Sequence, residues 1–97
     1  MLKQFENWMI NRGYKAFSVN GSPSTAIDYP WRISKICQRE GYTLEQLAQN
    51  INHVLKEHEF GGEKYNTVGV RSHESYLNAL RQFRKFLLVQ RFGGANG

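Results

Sequence analysis

Thr43-Leu44-Glu45-Gln46-Leu47-Ala48-Gln49-Asn50-Ile51-Asn52-His53-Val54-Leu55-Lys56-Glu57-His58 decides the fold of this 97-residue chain. Its opening fits a capping box, in which a threonine hydroxyl and a glutamine side chain three residues later satisfy each other's backbone N–H groups. Behind the cap, Leu44, Leu47, Ala48, Ile51, Val54, Leu55 and His58 recur at intervals of three and four, so they share one face of a helix. The pattern predicts a helix over 44–58 with that face turned to a core.

Working upstream, Ala26, Tyr29, Ile33, Ile36, Cys37 and Glu40 also share a face, predicting a helix over 25–40 that ends at Gly41. Ser24 or Thr25 would accept hydrogen bonds from the free N–H groups at its start. Pro30 lies one to two turns inside, where its missing donor and its ring predict a kink, or a start only near Asp28. Leu2, Phe5 and Met9, with Trp8 and Ile10 beside them, predict a short helix over 2–12 closed by Gly13. Ser18, Asn20, Gly21 and Ser22 mark residues 14–22 as a loop.

Downstream, residues 60–69 are glycine-rich and long enough to cross the end of a bundle. Weak alternation in 14–19 and 66–70 leaves a small β pairing between the two loops open. Ser72 reads as the N-cap of the longest helix, running to about Arg91 with Tyr76, Ala79, Leu80, Phe83, Phe86 and Leu87 inward. Residues 1–92 then form one helical domain, and 93–97 a flexible tail that is either a natural end or the start of a linker. Four amphipathic helices, or five, joined by short loops predict an all-α bundle.

A chain of this length buries only roughly 60 to 70% of the surface its unfolded form exposes, so one modest core is expected and a large enzyme fold is excluded. Thirteen Lys and Arg against eight Asp and Glu give +5, a bias toward polyanionic partners. The excess is uneven: residues 71–97 carry five basic side chains and Glu74 as their one acid. The single cysteine, Cys37, cannot form an internal disulfide, which suits a reducing compartment. The longest apolar run, Phe86-Leu87-Leu88-Val89, is far below the ~18 residues of a membrane span, and the N-terminus lacks a secretory h-region. A cytoplasmic protein without membrane association is expected.

Catalytic chemistry has little to stand on. The chain has no Gly-x-Ser-x-Gly, no phosphate-binding loop before a lysine and no cysteine pair for zinc. Cys37, on an inward face, reads as a structural thiol. His53 and Glu57 stand four apart, but no third ligand follows at a useful spacing, so they read as an ordinary helix pair. No catalytic residue, metal or cofactor is assigned, and no small-molecule substrate is expected.

The basic residues are more informative. Lys35 and Arg39 point outward from the 25–40 helix with Arg32 at the edge. Trp31 is on the same side, where it either stacks on a base or sugar or packs against the first helix; average tryptophan burial favours packing. On the last helix Asn78, Arg81 and Lys85 form an outward strip that Arg71 and His73 extend. After Glu74 this helix has no acid, so Arg81, Arg84, Lys85 and Arg91 lack the i,i+4 carboxylates of a merely solvated face. Ser24, Thr25, Ser72 and Ser75 place hydroxyls and free N–H groups at helix starts, which favour anions.

Phe5-x-x-Trp8-Met9, Ser24-Thr25-x-x-x-Tyr29-x-x-x-Ile33, Thr43-Leu44-Glu45-x-Leu47 and Ser72-x-x-x-Tyr76-x-Asn78-Ala79-Leu80-Arg81-x-Phe83-x-x-Phe86-Leu87 together resemble the N-terminal core-binding domain of tyrosine recombinases and phage integrases. The resemblance covers nearly the whole chain; Pro30 and the loop at 61–69 depart from the usual pattern. It implies an orthogonal, SAM-like bundle of four or five helices that clamps one side of a recombination site, its second and fourth helices nearest the duplex. Those recombinases cut DNA with a separate domain carrying a His-x-x-Arg motif and a nucleophilic tyrosine. No His-x-x-Arg occurs here, so the expectation is a non-catalytic module that is a fragment, a remnant or a free-standing binder.

Double-stranded DNA is the expected partner, with self-association on DNA left open. Arg32, Lys35, Arg39, Arg71, Arg81 and Lys85 would meet phosphates, supported by Ser24, Thr25, Ser72 and His73, and Asn78 would reach a base edge. A SAM-like protein-interaction module using Trp8, Trp31 or Phe92 is the rival expectation.

Overall fold

The computed structural model describes residues 1–22, 24–59, 61, 62, 64 and 70–93, and in the last of these segments the side chains of 74–90. The described chain folds into α1 (Leu2–Asn11), α2 (Thr25–Glu40), α3 (Leu44–Gln49), α4 (Ile51–His58) and α5 (Val70–Gly93). There is no strand among the described residues, and the all-α bundle read from the periodicity is the observed architecture. No helix among them is long and apolar enough to cross a membrane.

The capping box forms as predicted: Gln46 N–H donates to Thr43 Oγ1 at 3.1 Å, and Thr43 N–H donates to Gln46 Oε1 at 2.9 Å. The single helix expected over 44–58 is instead two, divided at Asn50 with φ −111° and ψ 20°. The Asn50 side-chain amide donates to the Gln46 carbonyl at 2.8 Å, and its backbone N–H is shared between the Gln46 and Leu47 carbonyls. A short polar side chain that competes for backbone acceptors favours such a break. The apolar stripe continues across it, because Leu47, Ile51, Val54, Leu55 and His58 are all buried.

Pro30 neither delays the start of α2 nor divides it; the helix begins at Thr25 with Pro30 buried inside. Tertiary bonds to the preceding loop fix the helix start. Ala26 N–H donates to the Lys15 carbonyl at 3.1 Å, and Ser24 N–H to the Ala16 carbonyl at 2.8 Å. Ser24 is the N-cap, yet no side-chain hydroxyl caps this start, which corrects the expectation for Ser24 and Thr25. The loop at 14–22 turns within its second half, Ser18 N–H donating to the Ser22 carbonyl at 2.8 Å. Its suggested partners at 66–69 lie outside the described residues.

Gly41 ends α2 in the left-handed region at φ 71°, and Tyr42 N–H reaches back to the Cys37 carbonyl at 3.0 Å. α5 starts at Val70, so Ser72 lies inside the helix rather than at its cap, and Gly93 belongs to the helix rather than to a tail. Residues 94–97 of the expected tail lie outside the described residues.

The core gathers one stripe from each helix. Phe5 and Met9 of α1 and Ala26, Ile33 and Ile36 of α2 meet Leu77, Ala79, Leu80, Phe83 and Phe86 of α5. Phe5 is the aromatic hub, 5.2 Å from Phe83 in edge contact and 5.4 Å from Phe86 between ring centres. Trp8 packs on Phe5 and Phe86, so the tryptophan that closes the α1 side of the core is Trp8. α5 packs against α1, α2 and α4, which makes it the spine of the molecule and leaves its remaining arc outward.

Candidate nucleic-acid interface

On α5 the three cations Arg81, Arg84 and Lys85 fall within about 100° of helix arc and are all exposed. Arg81 Nη1 donates to Asn78 Oδ1 at 3.4 Å, a long bond between two solvent-facing groups. Arg84 and Lys85 have neither an ion-pair nor a hydrogen-bond partner among the described residues. The absence of acids after Glu74 is therefore expressed as uncompensated positive charge.

Beside this strip runs a solvent-open groove of about 720 Å³ between α5, the end of α4 and the start of α2. Tyr14 and Tyr29 form one wall, Arg81, Arg84 and Lys85 rim the α5 side, and Leu55 and Leu88 contribute apolar surface. Glu59 stands on the α4 side as the one carboxylate among the lining residues. The Asn78 side chain faces the Tyr29 hydroxyl across the α2/α5 seam and favours its ionised form. With Asn78 Oδ1 already accepting from Arg81, its amide N–H is the group free to donate toward the phenol oxygen. Partial burial, then Tyr14 and Asp28 nearby, raise the Tyr29 hydroxyl above its ordinary pKa, so this phenol remains neutral near pH 7.

The basic residues of α2 are engaged to different degrees. Arg32 is partly buried, its Nε donating to Asp28 Oδ2 at 2.6 Å and its guanidinium lying 4.8 Å over the Tyr76 ring of α5. It works first as a clasp between the two helices. Arg39 turns to the other end of α2, where Nη2 donates to His58 Nε2 at 2.6 Å, with Glu40 at 3.5 Å. Lys35 stands 5.2 Å over the Trp31 ring. Trp31 is 50% exposed, so the packing against α1 that its average burial favoured does not occur. Trp31, Lys35 and Arg32 form a cation–aromatic cluster that reaches Tyr76 and so abuts α5.

The structure thus brings Asn78, Arg81 and Lys85 together and places Arg39 apart from them. Ser24 and Thr25 sit at the α2 start, but the N–H groups of Ser24, Ala26, Ile27 and Asp28 are already bonded to carbonyls, which removes most of the free donors expected for an anion. The side chains of Arg71, Ser72 and His73 lie outside the described residues, as does that of Phe92. Arg84, Tyr14 and Tyr29 were not singled out by sequence reasoning as site residues. Arg84 carried the available signal, a third unpaired cation on the same arc; the tyrosines carried none, because only the packing of the 14–22 loop brings Tyr14 beside Tyr29.

Elsewhere the chemistry is sparse. His53 Nε2 and Glu57 Oε1 are 3.6 Å apart, and no group of three metal-ligating side chains gathers among the described residues. Cys37 is half-buried and burial raises its thiol pKa, which keeps it protonated and weakly nucleophilic. Compared with known protein families, curated proteins and solved structures, the chain matches none.

Proposed function

We propose that this chain is a non-catalytic DNA-binding module, similar in role to the core-binding domain of a tyrosine recombinase, which holds duplex DNA on the outward arc of α5. The observation that carries the reading is the trio Arg81, Arg84 and Lys85, exposed on one arc without a carboxylate partner among the described residues. Such cations gain from releasing the counterions of a phosphate backbone. Lys35 and Trp31, flanking the α2/α5 seam, extend the surface with a fourth cation and an aromatic face. Arg32 and Arg39 contribute less, because Asp28 and His58 already hold them.

With about four phosphates neutralised, log K should fall with log salt at a slope of roughly −3.6. Reversing two charges with Arg81→Glu and Lys85→Glu should abolish duplex binding at moderate salt while leaving far-UV circular dichroism unchanged. Binding that is independent of salt, or unaltered by the double substitution, would overturn the reading. Concentration-dependent self-association indifferent to DNA, seen by light scattering, would favour a protein-interaction module instead.

A further inference from the structure

The groove beside α5 has a composition that phosphate contact alone does not use. A duplex lying on the α5 cations needs no concavity. Yet two phenol rings and two side-chain amides, Asn78 and Gln82, line this one. Gln82 Oε1 is buried and accepts no hydrogen bond, an arrangement that folded proteins generally avoid. Rotation about the last torsion of a terminal amide is soft, so this oxygen can turn to meet a donor arriving in the groove.

These groups sort by chemistry along the groove. Cations stand on the α5 rim and Glu59 on the α4 side, so the anionic part of a ligand is confined to α5. Tyr14 and Tyr29 line the same groove, so both rings are available to one ligand. The volume of about 720 Å³ lies in the range of small-ligand sites, too small for a duplex and sufficient for a single nucleotide.

We propose that this groove receives one unpaired nucleotide of the DNA held on α5, its phosphate on Arg81 and Lys85, its base against Tyr14 and Tyr29, and its edge read by Asn78 and Gln82. The inference rests on the DNA-binding reading and adds a preference for duplexes that offer an unpaired base. Stacking is tolerant of base identity because every base has a π-face. The amides then supply whatever base preference exists, as both can donate and accept.

The test compares three duplexes of one length by fluorescence anisotropy: one fully paired with 2-aminopurine opposite thymine, one with a single unpaired 2-aminopurine, and one with an abasic bulge at the same place. The unpaired 2-aminopurine duplex is expected to bind roughly tenfold more tightly than the paired one, with its emission quenched on binding. The abasic bulge should bind like the paired duplex. Tyr14→Leu should remove both preference and quenching while leaving affinity for the paired duplex unchanged, and Tyr14→Phe should retain both. Equal affinity for paired and unpaired duplexes without quenching overturns the groove while the duplex reading stands. Tight binding of the abasic bulge would assign any preference to flexible DNA and also overturn it. Failure of every duplex to bind would overturn both readings.

Discussion

His58 is the one fully buried polar side chain among the described residues, and its hydrogen bonds determine its tautomer. The Val54 carbonyl can only accept, so Nδ1 carries the proton at 2.8 Å, and Nε2 is left bare to accept from Arg39 at 2.6 Å. Protonating Nε2 would set two donors against each other. Burial, reinforced by the Arg39 guanidinium, lowers the His58 pKa; the Val54 carbonyl, Glu40 and Glu57 oppose this without reversing it. A histidine whose folded pKa lies below its unfolded value of about 6.5 contributes fully above that pH and loses the contribution as pH falls below it. Thermal melts should therefore show decreasing stability from pH 7 to pH 5, and His58→Gln should flatten that slope. Arg39→Ala strands a buried acceptor and should cost about 1–3 kcal/mol by urea unfolding at neutral pH. The same contact explains why Arg39, outward by periodicity, is poorly placed for phosphate: an arc position says which way a side chain leaves its helix, not what waits for it there.

At the scale of elements, the α3/α4 pair shows which signals act locally and which do not. Thr43 and Gln46 cap α3 through contacts three residues apart, and the box was legible because nothing distant is needed to form it. Thr43→Ala should cost about 1 kcal/mol, measured by chemical denaturation. The break at Asn50 went unread because the 3/4 spacing of apolar residues passes through it unchanged, while the competing side-chain amide leaves no mark on that spacing. Gly62 sits at the other end of α4, its N–H donating to the Glu59 carbonyl at 2.8 Å. A Cβ there would press into the Lys56 and Glu57 carbonyls, which are backbone and cannot move aside cheaply. Gly62→Ala should destabilise by about 1–3 kcal/mol, read from the shift of the denaturation midpoint. Pro30 in α2 is the converse case: local rules disfavour it, and the Lys15 and Ala16 carbonyls supply bonds at the helix start that those rules do not count.

Across the whole molecule, α5 joins the core to the proposed interface. Its inward side carries Phe83 and Phe86 into the aromatic cluster with Phe5, and its outward side carries Arg81, Arg84 and Lys85. Phe83→Ala should cost about 3–5 kcal/mol. That is a large share of the ~5–15 kcal/mol that holds a small domain together, and circular dichroism should show a broad, early melt. The proposed DNA affinity should then be lost through unfolding, in contrast to the charge reversals, which should leave the bundle intact. The sequence by itself determined the helical class, the inward stripes, the α3 cap and the uncompensated charge of the last helix, because these depend on spacing along one chain and on residue type. Only the tertiary structure decided that Arg32 and Arg39 are held by Asp28 and His58, that Trp31 rather than Trp8 is exposed, and that Tyr14 joins Tyr29 in a groove beside α5. Each of these is set by how helices cross and loops return, and the periodicity of a single helix carries no information about its neighbour's position.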